Sequence, residues 1–103
     1  MHVQVNTDNH IEGREVLATR VEAVVQESLR RFSDQITRVE VHLSDENSRK
    51  GGQDDKRCMM EARLEGRRPT AVTHHAATLD QAIDGAADKL QRSIESTLGR
   101  LRG

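Results

Sequence analysis

Aromatic side chains are almost missing from this 103-residue chain, which has no Trp, no Tyr and a single Phe, at position 32. A platform that stacks single-stranded bases needs several aromatic faces, so that mode of RNA recognition is excluded; any contact with RNA must go through phosphates and shape. Cysteine is equally scarce. Cys58 is alone and cannot form an internal disulfide, which fits a reduced, cytosolic protein. No apolar run approaches the ~20 residues that span a bilayer. The N-terminus opens on His2-Val3-Gln4-Val5 instead of a basic segment and an apolar stretch, so no secretory signal is expected. Charge of one sign is also lacking: 16 Lys and Arg stand against 17 Asp and Glu, a formal net charge of -1. That balance excludes a generic basic coat for nucleic acid, and an anionic partner would have to be met by a local patch.

What the chain does have is periodicity. Apolar residues are 34% of the total and charged residues 32%, but the apolar ones fall in regular blocks, which argues for folding over disorder and for one domain over residues 1–103. Val3 and Val5 alternate with polar residues and predict a short strand that ends at the turn-prone Asn6-Thr7-Asp8-Asn9. From Gly13 to Phe32 the period changes: Leu17, Val21, Val24, Val25, Leu29 and Phe32 recur at steps of three and four, predicting a helix that stops at Ser33-Asp34. Val39, Val41 and Leu43 alternate within a second strand, Ile36 to Ser44. Asp45 to Asp55, with Gly51-Gly52, reads as a loop. Cys58, Met60, Ala62 and Leu64 mark a third strand, Gly66-Arg67-Arg68-Pro69 a turn, and Thr70 to Ala76 a fourth strand.

Thr78, followed three residues later by Gln81, is a capping-box signature that opens a last helix running to Arg102. Leu79, Ala82, Ile83, Ala86, Leu90, Ile94, Thr97 and Leu101 share one of its sides at ~100° per residue. The order is therefore β-α-β-β-β-α. Strands two to four suit an antiparallel meander, while strand one reaches strand two through a helix and so pairs with it in parallel by a right-handed crossover. An α+β fold is expected, a four-stranded mixed sheet with two helices packed on one face and a polar, solvated opposite face.

The last helix sorts its charges. Asp80, Asp84 and Asp88 occupy its first half; Lys89, Arg92, Arg100 and Arg102 stand against Glu95 in its second. The helix macrodipole accounts for that axial order without any ligand. It does not account for Lys89, Arg92 and Arg100 falling within an arc of about 80°, beside the apolar stripe. These three are the candidate phosphate contacts, assisted by Arg30 and Arg31 at the end of the first helix. Arg49-Lys50, Lys56-Arg57 and Arg67-Arg68 read as solubilising pairs at loop ends, with Arg67-Arg68 the best placed of them for contact.

Catalysis finds no support in the residue pattern. Cys58 lies on the buried alternation of its strand and reads as a packed thiol. Adjacent strand residues point to opposite faces, so His74 and His75 cannot share a metal ion, and His2, His10 and His42 lack ligand spacing. Gly51-Gly52 is followed by neither Lys-Ser/Thr nor a helix and is not a phosphate loop. No nucleophile with a base stands out. No enzyme activity, metal or cofactor is expected.

Two stretches resemble a known family. Phe32-Ser33-Asp34-Gln35-Ile36-Thr37-Arg38-Val39-Glu40-Val41 is similar to the junction that ends the first helix in ribosome hibernation-promoting factors and ribosome-associated inhibitor A, the sigma-54 modulation proteins. Ala82-Ile83-Asp84, followed by Asp88-Lys89-Leu90-Gln91-Arg92, resembles the signature of their last helix. The resemblance covers essentially the whole chain and carries the same β-α-β-β-β-α order. It implies a non-enzymatic, cytoplasmic stress-response protein that binds the small ribosomal subunit and its rRNA in the decoding channel and occludes mRNA and tRNA. Lys89, Arg92 and Arg30 match basic positions of the family. Asp80 and Gln81 replace a common aromatic, and Ser96 and Thr97 stand where lysines are common, which points to weaker binding or a different partner. A chain ending at Gly103 implies the short form, without a C-terminal dimerisation domain. The rival reading is a protein-interaction module on the same fold with a non-ribosomal partner.

Overall fold

Each block of periodicity becomes one element in the computed structural model, which describes residues 1–8, 11–46 and 55–102, with side chains as far as Gly99. In chain order these are β1 (His2–Thr7), α1 (Arg14–Ser28), a 3-10 turn (Arg30–Phe32), β2 (Ile36–Asp45), β3 (Lys56–Leu64), β4 (Thr70–Ala76) and α2 (Leu79–Arg102). The strands form one sheet in the order β1-β2-β3-β4, with β1 parallel to β2 and the other pairs antiparallel. The fold is the expected α+β arrangement of a mixed four-stranded sheet and two helices. Gly51-Gly52, Arg49-Lys50 and His10 lie outside the described residues.

Alternation decides which face is buried. Val39 opposes Ala62, Val41 opposes Met60 and Leu43 opposes Cys58, and all six are at most 2% exposed. Ile36 is buried too, although three positions from Val39 should put it on the opposite face of a regular strand. The pairing shifts between Ile36 and Arg38, so Thr37 is an inserted bulge residue that returns Ile36 to the core side. Its hydroxyl donates to the Arg63 carbonyl at 3.1 Å.

The helices close the core over that one face. Val21, Val25, Leu29 and Phe32 are buried as the periodicity predicts, with Leu17 and Val24 partly so. One correction concerns continuity, because α1 ends at Ser28 and the chain tightens into the 3-10 turn before Phe32. Leu29 N–H still reaches four residues back, to Val25 O, but Phe32 N–H reaches only three, to Leu29 O, both at 2.9 Å. A three-residue turn keeps Phe32 above Leu29.

In α2 the buried side is Ala82, Ile83, Ala86, Ala87, Leu90 and Ile94, with Leu79 and Leu98 packed at its margin. Ala87 and Leu98 thus join the expected stripe, and the side chain of Leu101 lies outside the described residues. Thr78 caps the helix, its Oγ1 accepting from Gln81 N–H at 3.1 Å. Because α2 follows β4 through a short turn, it runs back along it. Its 24 residues rise about 36 Å against roughly 23 Å for the strand. About the last third of α2 therefore projects past Thr70, and the molecule measures 48 × 24 × 20 Å.

Candidate nucleic-acid interface

The described members of the predicted basic set, Lys89, Arg92, Arg30 and Arg31, are exposed, and all four are already engaged. Arg92 is 77% exposed and pairs with Asp88, one turn back, at 2.8 Å. Arg30 lies 3.6 Å from Glu27. Arg31 reaches across to α2, where its Nη2 donates to Glu95 at 3.2 Å, and its guanidinium lies 5.2 Å from the centre of the Phe32 ring. Lys89 donates from Nζ to the main-chain carbonyl of Thr73 on the outermost strand at 2.9 Å. The side chain of Arg100 lies outside the described residues.

These contacts divide the predicted set between two flanks of α2. The flank toward α1 carries Asp80, paired with Arg20 at 3.3 Å, and Glu95, paired with Arg31. The flank toward β4 carries Lys89, about 120° around the helix from Glu95. Arg31 is thus brought to α2, on the flank away from Lys89. A cleft of about 180 Å³ separates the 3-10 turn from α2, lined by Arg31, Phe32, Glu95, Leu98 and Gly99.

Topology gathers further arginines at one end of the molecule. The start of β2, the end of β3, the start of β4 and the 3-10 turn share that end, and the Arg31–Glu95 pair brings the C-terminal half of α2 to it. Arg38 and Arg63 face each other across the β2–β3 ladder on the open side of the sheet. Like charges in register are unfavourable, and each arginine turns to a glutamate on its own strand: Arg38 to Glu40 at 2.7 Å and Arg63 to Glu61 at 3.9 Å. Gln4 also accepts from Arg38. The turn bearing Arg67 and Arg68 closes through Arg67 N–H to Leu64 O at 3.1 Å, with Gly66 in the left-handed region at φ 72°. Glu65 N–H donates to Gln35 O at 2.9 Å and fastens this turn beside the corner that follows Arg30 and Arg31. The dipeptide between Gly66 and Pro69 was legible in the sequence; its neighbourhood, set by residues some thirty positions away, was not.

Among the described residues, four acids gather at the opposite end, Asp8, Asp45, Glu46 and Asp55. Lys56 sits between Asp45 and Asp55, 3.1 Å from each, and the hydrogen bonds it donates to Asp55 and, second, to Asp45 raise its pKa above the ordinary value. Asp45 N–H donates to Asp8 Oδ2 at 3.0 Å, and Glu46 lies within 3.7 Å of both Arg57 and His75. The two adjacent histidines do diverge: His74 faces α2 and His75 the open side near Glu46. Among the described residues no group of three or more His, Cys, Asp or Glu is placed to hold a metal. Cys58 is fully buried, and desolvation pushes its thiol up to about 12 despite the nearby Arg57. Such a thiol is protonated and inert at neutral pH.

A family model described as sigma 54 modulation protein / S30EA ribosomal protein matches residues 3–102. Among solved structures, the N-terminal domain of Protein Y from Thermus thermophilus superposes with a TM-score of 0.74 at 23% identity, covering 94% of this chain and 99% of that one. A ribosomal subunit interface protein from Coxiella burnetii superposes with a TM-score of 0.69 at 14% identity, covering 96% and 99% respectively. At these identities the two structures show a shared fold. No curated protein sequence matches the chain.

Proposed function

Since the chain belongs to the sigma 54 modulation protein / S30EA ribosomal protein family, we propose that it is a ribosome hibernation factor that lodges in the decoding channel of the small subunit and keeps mRNA and tRNA out. The observation that carries this reading is the arginine-rich end of an elongated molecule. There Arg30, Arg31 and the C-terminal half of α2 come together, while Asp8, Asp45, Glu46 and Asp55 gather at the other end. A near-neutral protein can grip RNA this way, because the local field counts more than the total charge. The similar Coxiella burnetii structure is itself that of a ribosomal subunit interface protein.

The mechanism requires no chemistry. Lys89, Arg92 and Arg100, with Arg30 and Arg31, pair with rRNA phosphates, and the sheet and helices fill the channel as a rigid plug. A ribosomal partner places this work in the cytoplasm. Phosphate contacts release counterions, so binding weakens steeply with salt, by about 0.9 log units in affinity per neutralised phosphate for each tenfold rise in salt on duplex nucleic acid. Co-sedimentation with small subunits at low and raised salt tests the reading. The native chain is expected to sediment at low salt and dissociate at high salt, and a Lys89→Ala, Arg92→Ala, Arg100→Ala variant to bind more weakly. A native chain that stays in the supernatant at every salt concentration overturns the proposal.

A further inference from the structure

We infer that the β3–β4 turn is the leading phosphate contact of this protein, with Arg67 and Arg68 as its two donors; the inference deepens the ribosome reading and rests on it. A phosphate approaching most of the other arginines meets a guanidinium already paired with a carboxylate. Arg20, Arg30, Arg31, Arg38, Arg57, Arg63 and Arg92 pair with Asp80, Glu27, Glu95, Glu40, Glu46, Glu61 and Asp88 in turn. Each such surface pair is weak, but the carboxylate offsets the guanidinium's charge and occupies part of its donor fork. Among the described residues only Arg14, Arg67, Arg68 and Lys89 have no carboxylate partner. Lys89 gives one of its three N–H donors to the Thr73 carbonyl and is an ammonium without a forked donor pair, and Arg14 opens α1 between Glu12 and Glu15 in sequence. That leaves Arg67 and Arg68 as two adjacent, exposed and uncommitted guanidiniums.

Their backbone is already ordered. Arg67 N–H to Leu64 O and Glu65 N–H to Gln35 O hold the turn from both sides, Gly66 supplies the left-handed step, and Pro69 fixes the exit. Binding therefore orders side chains only, not the loop. A guanidinium meets phosphate with two parallel N–H donors, which a lysine at the same place cannot do. The turn also shares an end with Arg30 and Arg31, so one RNA surface meets both.

The experiment compares the full native chain with Arg67→Ala/Arg68→Ala and Arg30→Ala/Arg31→Ala variants. Each is assayed by co-sedimentation with small subunits, and by anisotropy against a labelled, folded rRNA helix free of ribosomal proteins. Neither Arg67 nor Arg68 bonds through its side chain to a described residue, so their variant is expected to melt at the native temperature. The expected result is a roughly ten-fold or greater loss of affinity in the turn variant at moderate salt, with the salt slope shallower by about 1.8. A smaller loss is expected for Arg30→Ala/Arg31→Ala. Arg67→Lys/Arg68→Lys is expected to keep most of the salt slope while losing part of the affinity. A turn variant that binds both targets within two-fold of the native chain overturns the inference. If the native chain ignores subunits, the ribosome reading fails separately, and the RNA helix decides this inference: lost binding in the turn variant sustains it, and unchanged or absent binding overturns it.

Discussion

The imidazole of His74 occupies the space that a side chain at Gly85 would need: a β-carbon built there lies within 3.0 Å of Cγ, Cδ2 and Nε2 of the ring. Ordinarily a helical Gly→Ala change stabilises by about 1 kcal/mol. Here Gly85→Ala is expected to destabilise by roughly 1–3 kcal/mol, because the ring and α2 must part. Combining it with His74→Ala removes the obstruction, so a double-mutant cycle by urea unfolding is expected to show strong favourable coupling. Additive effects would mean that the ring yields without moving the helix.

Thr78 offers a separate handle on α2. Its Oγ1 satisfies Gln81 N–H, and Thr78→Ala leaves that donor to water. A loss of about 1 kcal/mol is expected in thermal or urea unfolding, with Thr78→Ser or Thr78→Asp close to the native value.

Cys58 predicts an alkaline limit. Its folded-state value of about 12 stands above the ordinary 9.0 because burial disfavours the thiolate. The unfolded chain therefore releases this proton first as pH rises, and unfolding is increasingly favoured above pH 9. The contribution is fully present below that point and lost as pH climbs towards 12, up to about 4 kcal/mol at about 1.4 kcal/mol per pK unit. Urea midpoints measured from pH 8 to 11 are expected to fall, and those of Cys58→Ala to fall less.

Strand alternation and the Thr78-x-x-Gln81 signature made the elements readable because both depend on neighbours in sequence. The bulge at Thr37 was hidden in the three-residue step from Ile36 to Val39, and it becomes visible only when Leu64 and Arg63 are laid alongside. For the site, residue type and exposure were legible and occupancy was not. Nothing near Arg31 in the chain announces Glu95, 64 positions away, and nothing near Lys89 announces the Thr73 carbonyl. Conversely, Arg67 and Arg68 read as a solubilising pair, though the best placed of its kind for contact, and only the structure shows the other described arginines of their end matched with acids.

That matching makes the acids themselves testable. Arg31 is held between the Phe32 ring and Glu95, and an exposed pair of this kind contributes only about 0–1 kcal/mol to stability. Glu95→Gln is therefore expected to change the melting temperature little while releasing the guanidinium and removing one negative charge from the arginine-rich end. If RNA must compete with Glu95 for Arg31, affinity for small subunits rises roughly two- to five-fold, the inverse of the pair's own strength. Asp88→Asn is expected to act in the same direction through Arg92. Measured side by side by co-sedimentation at one salt concentration, both variants should exceed the native chain. A fall in the Glu95 variant would show that the pair positions Arg31 for its phosphate instead of withholding it.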